Sequence, residues 1–94
     1  MVRVDAALRE CADVFEQRAK EYGPIEPSFT RAAIFASLLT GLDITAAHVA
    51  RVLIAVKLSR LAHQPGHDDS MVDASVYLQI VRALVAAEDE GSDQ

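Results

Sequence analysis

The stretch that decides the fold runs from Val49 to Leu61 and reads VARVLIAVKLSRL. Its aliphatic side chains fall on nearly every side of a helix, a pattern typical of a helix buried all round. We therefore expect this helix to form the centre of the fold. At about 100° per residue, Lys57 would lie between the side chains of Leu53 and Ile54 on the helix surface. A cation with such neighbours needs an acidic partner, an anionic ligand or a path along which its ammonium group reaches water.

The remaining segments also have helical patterns, and no segment shows the alternation of a strand bounded by turn residues. Gly23 and Gly41 are placed to end the first two helices, because glycine commonly follows a helix. Ser28 and Thr45 are placed to cap the next two. We predict an all-α domain with four helices, at about residues 4–21, 28–40, 45–63 and 68–88.

Composition limits the possible functions of the chain. It has 94 residues, a formal net charge of −5 and 51% hydrophobic residues, with five Phe and Tyr residues and no Trp. We expect one helical domain over residues 1–88 and an acidic, flexible tail over 89–94. A domain so small, with an aliphatic core, often gains stability by self-association, so we expect a homo-oligomer. The acidic balance and the lack of a basic tract argue against binding to a DNA or RNA backbone.

Cysteine and charge placement favour a cytoplasmic protein. Cys11 is the single cysteine, so the chain has no internal disulfide, as fits a reducing compartment. The sequence has no signal-peptide pattern, and Arg51, Lys57 and Arg60 interrupt the apolar run that could otherwise cross a membrane. We therefore expect no membrane partner.

Two cations near the end of the third helix form the main candidate ligand site. Lys57 and Arg60 are spaced by three, share a helix face and could bind two oxygens of one phosphate group. Asp69 and Asp73 are spaced by four on the next helix and share a face there. In a ligand site they could orient the two cations or accept hydrogen bonds from a ribose or base. The cations could instead pair with these two carboxylates and hold the last two helices in register. The spacing leaves both interpretations open.

Two aromatic residues around the first turn form a second candidate. Tyr22 and Phe29 flank the Gly23-Pro24 turn and could stack on a nucleotide base, or could seal the end of the bundle. The first helix carries an apolar stripe in which Arg18 is the one polar interruption.

Metal and covalent chemistry have weaker support. The last helix offers Asp68, Asp69 and Asp73, but the central helix has no acid to complete a two-helix magnesium site. His63 and His67 are spaced by four but separated by Pro-Gly, so helical geometry does not bring them together as a zinc pair. We expect no cofactor and no catalytic residue.

Several motifs together resemble a group of small helical domains of uncharacterised function common in phages and prophages. The motifs are Glu21-Tyr22-Gly23, Phe29, Lys57-Leu-Ser-Arg60-Leu61, and Asp69-Ser70-Met-Val-Asp73-Ala-Ser-Val-Tyr77. The resemblance spans about residues 6–86 and extends to nucleotide-modification-associated domains and, distantly, to MazG-like nucleoside triphosphate pyrophosphohydrolases. In MazG-like enzymes a Glu-Glu-x-x-Glu motif holds the metal, and this chain lacks it. Ser70 stands where their Glu-x-x-Asp motif has its Glu, and only Asp73 matches.

The resemblance implies a nucleotide cleft in which cations replace the metal. Our leading hypothesis is a non-catalytic homo-oligomer that binds, and could sequester, a nucleotide or related phosphorylated small molecule. By analogy with phage proteins that sequester nucleotide signals of host immunity, an anti-defence role in the host cytosol would fit. One alternative is a divergent magnesium-dependent nucleotide pyrophosphohydrolase using Asp69, Asp73 and acids of the first helix. Another is a protein-binding inhibitor of a host enzyme.

Overall fold

The structure is a computed structural model that describes residues 3–92 and, within them, the side chains of residues 3–89. Its four helices are α1 (Val4–Tyr22), α2 (Ile25–Thr40), α3 (Ala46–His63) and α4 (Asp68–Ser92). The part of the chain that is described contains no strand. The prediction of a four-helix, all-α domain is confirmed.

The predicted glycine and threonine boundaries are confirmed. Gly23 follows α1 with φ 83°, and Gly41 follows α2 with φ 72°, backbone angles that glycine adopts without strain. Thr45 caps α3, since its side chain accepts the backbone N–H of His48. The His48 ring accepts the Thr45 N–H in return and completes a capping box.

Two predicted helix ends are wrong. Helix α2 begins at Ile25 rather than Ser28, with Pro24 as its N-cap. Pro27 is therefore its third residue, where proline is tolerated because the first N–H groups of a helix have no partner within it. Helix α4 continues to Ser92, beyond the predicted end near residue 88, and takes in most of the predicted tail. Residues 93–94 of that tail lie outside the described residues.

Helix α4 packs against both α1 and α3, and α2 packs against α3. Buried residues of three helices form the hydrophobic core: Phe29, Ala47, Ala50, Val76, Ile80 and Leu84. The prediction that α3 is the buried centre is wrong, because its buried residues are two alanines while Val52, Val56 and Leu58 are exposed. Helix α4 supplies the larger buried side chains instead. The apolar patterns of both helices are broad, so the sequence alone does not rank their burial.

Helix α4 is also long and apolar enough over Asp68–Asp89 to cross a membrane, by length and composition alone. The core helix of a soluble protein can pass the same test. This helix contributes Val76, Ile80 and Leu84 to the core. The absence of a membrane partner stays a prediction.

Candidate functional site

Lys57 lies in an ionic cluster that joins three helices. Its Nζ is 2.9 Å from Oδ2 of Asp73, and Nη1 of Arg18 is 2.8 Å from Oδ1 of the same carboxylate. The Lys57 side chain is 16% exposed and that of Asp73 10%, whereas Arg18 is 41% exposed. Lysine and aspartate are therefore largely removed from water, and the arginine reaches the same carboxylate from the rim. We call these three residues the ionic cluster.

Each residue of the ionic cluster comes from a different helix. Arg18 is on α1, Lys57 on α3 and Asp73 on α4. The sequence left three possibilities for Lys57: an acidic partner, an anionic ligand or a path to water. The structure shows an acidic partner, Asp73. Arg18 was not predicted to join them, although its place on the apolar stripe of α1 indicated a cation facing the core. One carboxylate thus serves two cations, and the cluster fixes α1 and α3 against α4.

Two opposing effects act on the pKa of Asp73. Burial raises the pKa, because a carboxylate loses hydration away from water. The hydrogen bond from Lys57 and the charges of Arg18 and Lys57 lower it by more, so the net pKa lies below the ordinary 3.8. Asp73 is therefore ionised at neutral pH and remains a partner for both cations.

Arg60 and Asp69, the other two charged residues of the predicted site, lie outside the ionic cluster. Both are exposed, and neither forms a salt bridge with any side chain that the structure describes. Arg60 instead lines an open cavity of about 360 Å³ where α3 ends and α4 begins. The other lining residues are Ser59, His63, Gln64 and His67. We call this the cationic cavity; among the described residues, no carboxylate lines it.

His67 is held in place by the start of α4. Its Nδ1 is 2.7 Å from Oγ of Ser70 and accepts the Ser70 backbone N–H at 3.3 Å. This acceptor role assigns the proton of the neutral ring to Nε2, which leaves that nitrogen as a donor. Ser70 is fully buried. Ser70 therefore holds His67, one wall of the cationic cavity, in place.

The two predicted stacking residues have different environments. Phe29 is 8% exposed and makes an edge-on contact with Tyr77, with ring centroids 6.5 Å apart. Tyr22, at the end of α1, is 72% exposed. Phe29 therefore matches the alternative in which the aromatic residues seal the end of the bundle. The Phe29 ring offers little surface to a ligand. Neither residue lines the cationic cavity.

Metal binding would require several acidic or histidine side chains to lie close together. Within the described residues, no group of three or more His, Cys, Asp or Glu side chains is placed to hold a metal ion. Asp73 has a cation on each of its oxygens. Magnesium at this carboxylate would have to compete with an existing ion pair.

Comparison with known proteins places the chain in a family. Residues 6–85 match the model of a domain of unknown function, DUF6378. The Gene 55 protein of Mycobacterium phage L5 is 29% identical over 75 residues, which cover 79% of this chain and 48% of that protein. The chain thus spans about half the length of the curated relative it matches. No solved structure matches. The predicted resemblance to phage-type domains of uncharacterised function is confirmed, and the MazG-like resemblance stays a prediction. The chain belongs to the DUF6378 family.

Proposed function

We propose that this chain is a non-catalytic domain that acts as a homo-oligomer and binds a nucleotide or related phosphorylated small molecule in the cationic cavity. The observation that supports this is the position of Arg60. Its guanidinium belongs to an exposed side chain, has no acidic partner among the described residues and borders a cavity with two histidines. A guanidinium with five donors in a fixed plane suits two oxygens of one phosphate group.

The cavity has a size and chemistry that fit such a ligand. Its volume of about 360 Å³ lies near the lower end of the range usual for small-molecule sites, roughly 300–1,000 Å³. Ser59, Gln64 and the imidazole rings add neutral hydrogen-bonding groups beside Arg60. The end of α3 carries a partial negative charge from its carbonyl groups, which Arg60 offsets in the last turn.

This proposal assigns the predicted site residues to separate tasks. Arg60 contacts the phosphate, while Lys57 and Asp73 hold α3 against α4 and so set the shape of the cavity. The charge of Lys57 is neutralised by Asp73 at 2.9 Å, which weakens its attraction for a second anion. Asp69 and Tyr22 are exposed, and neither lines the cavity. Sequestration in a host cytosol would follow if the ligand is a nucleotide signal.

Titration of the purified protein with nucleotides tests the proposal. Nucleoside mono-, di- and triphosphates and cyclic dinucleotides serve as probes, with the rise in melting temperature and calorimetric affinity as readouts. We expect at least one probe to bind, and Arg60→Ala to weaken it by more than about 10-fold, since a charge-assisted bidentate contact is lost. Arg51→Ala is the matched control, because Arg51 is exposed on the same helix and does not line the cavity.

Two results would contradict the proposal: no probe binds, or Arg60→Ala binds as tightly as the unaltered protein. Pyrophosphate release in the presence of magnesium, abolished by Asp73→Asn in a variant that still folds, would favour the pyrophosphohydrolase alternative. Binding to a host enzyme that survives removal of Arg60 would favour the inhibitor alternative.

A further inference from the structure

Helix α2 carries an apolar stripe that faces away from the core. Ile34, Phe35, Leu38 and Leu39 are 57 to 87% exposed. Ile34 and Leu38 are spaced by four, as are Phe35 and Leu39, so the four side chains form two adjacent rows along two turns. The opposite side of α2 supplies Phe29 and Ala33 to the buried residues. We call the four exposed residues the α2 stripe.

The exposed surface of the single chain is larger than its mass predicts. Its accessible surface is 6975 Å², whereas a folded monomer of 10.2 kDa exposes about 5,300 Å². Its radius of gyration is 14.6 Å, compared with about 12 Å for a compact domain of 94 residues. The excess is about 1,700 Å² per chain, or about 3,400 Å² for two chains, within the range that obligate homodimers bury.

The core of the single chain is also incompletely buried. Among the described residues, the largest side chain that is fully buried is that of Ser70. The large core residues Phe29, Ile80 and Leu84 each retain some exposure. A single chain therefore leaves much of its apolar surface in water, which a second copy would remove.

Charge distinguishes the α2 stripe from the apolar groove between α1 and α4. Residues 32–42 contain no charged side chain, so two copies can approach there without opposing charges. The groove between α1 and α4, with Leu8, Phe15 and Leu78, lies beside α1 residues that alternate apolar and charged side chains. A contact across that groove would have to bury or pair some of those charges.

We infer that the α2 stripe is the interface at which two copies of this chain pack, with α2 of one copy against α2 of the other. The contact is isologous, so each of the four side chains enters the interface twice. Burying rows of Ile, Phe and Leu supplies the apolar core that obligate interfaces have. This inference rests on the homo-oligomer in the proposed function and does not depend on ligand binding.

Sedimentation equilibrium at micromolar concentrations tests the inference. We expect the unaltered protein to be a dimer and Leu39→Glu to weaken its association by more than about 100-fold, because two carboxylates would enter one apolar interface. Leu38→Glu is a second variant with the same expected result. Leu8→Glu is the matched control, since Leu8 is exposed on α1. All three positions are exposed in the single chain, and circular dichroism checks that each variant stays helical.

A monomeric unaltered protein would overturn the inference, as would dimers that persist in both Leu39→Glu and Leu38→Glu or that dissociate in Leu8→Glu. Titration of Arg60→Ala separates this result from the ligand proposal. If Arg60→Ala loses ligand binding but remains dimeric, the result supports the ligand proposal at the cationic cavity. If Leu39→Glu loses the dimer, the result supports the α2 stripe as the interface.

Discussion

The ionic cluster and the cationic cavity both lie where α3 meets α4, yet their cations have opposite environments. Lys57 is largely buried and bound to Asp73 at 2.9 Å. Arg60, one turn later on α3, is exposed and has no acidic partner among the described residues. Two side chains spaced by three residues lie about 60° apart around a helix, which is enough to place one cation inside and the next at the edge. The buried cation stabilises the fold, and the exposed one is available to a ligand.

Asp73→Asn should have the largest effect, because it leaves Lys57 and Arg18 next to a neutral side chain of the same shape. Removing one partner of a buried ion pair costs about 3–5 kcal/mol, and we expect a loss in unfolding free energy near the lower end since Arg18 can turn toward water. Urea denaturation measures it. Asp69→Asn is the control and should cost less than about 1 kcal/mol, the value of a charge near a helix N-terminus. Equal losses in both variants would mean that the carboxylate in the ionic cluster stabilises the fold no more than the exposed carboxylate of Asp69.

Acid should act on the ionic cluster as Asp73→Asn does. The pKa of the folded carboxyl lies below the ordinary 3.8, so folding favours the ionised form. This contribution is complete above pH 3.8 and is lost as the pH falls through the lower pKa of the folded state. The difference in melting temperature between the unaltered protein and Asp73→Asn should therefore shrink as the pH falls from about 5 to about 2. A difference that stays constant over that range would contradict the assignment.

The two cations of the ionic cluster should contribute different amounts to the free energy of unfolding. Lys57→Met keeps an apolar side chain in place but removes a charge that is 16% exposed, and we expect a loss of about 1–3 kcal/mol. Arg18→Met removes a charge that is 41% exposed and screened by solvent, so its loss should be under about 1 kcal/mol. Urea denaturation of both variants gives the order. A larger loss for Arg18→Met would reverse the assignment of Lys57 as the main partner.

The sequence predicted the number and positions of the helices better than it predicted which helices are buried. Local residues determine a helix end, so Gly23, Gly41 and Thr45 could be located from their chemistry. Ser28 was misleading as a cap, because α2 begins before Pro27, and proline fits the first turn of a helix although it breaks a helix interior. Burial depends on which helices pack together, and α3 and α4 are both apolar on most sides. Their ranking therefore required the structure.

The same distinction applies to the candidate site. Helical spacing alone indicated that Lys57 needs an acid, an anionic ligand or a path to water, because its neighbours on the helix are apolar. The choice of Asp73 over Asp69 required the packing of α3 on α4. Arg18 comes from a distant part of the chain, and its place on the apolar stripe of α1 was the one indication of its role. Contacts within a helix could thus be predicted, whereas the partner across helices could not be chosen.

Arg60→Ala should have the smallest effect on stability and so provides the sharpest contrast with the ionic cluster. Arg60 is exposed and forms no salt bridge with a described side chain, so its removal should change the unfolding free energy by less than about 0.5 kcal/mol. Its long stem could also cover apolar surface, which Arg60→Met controls for by keeping a stem of similar length. Urea denaturation of both variants should give curves close to that of the unaltered protein. A loss in both variants as large as that of Lys57→Met would mean that Arg60 stabilises the fold as Lys57 does, and the difference between the two cations would disappear.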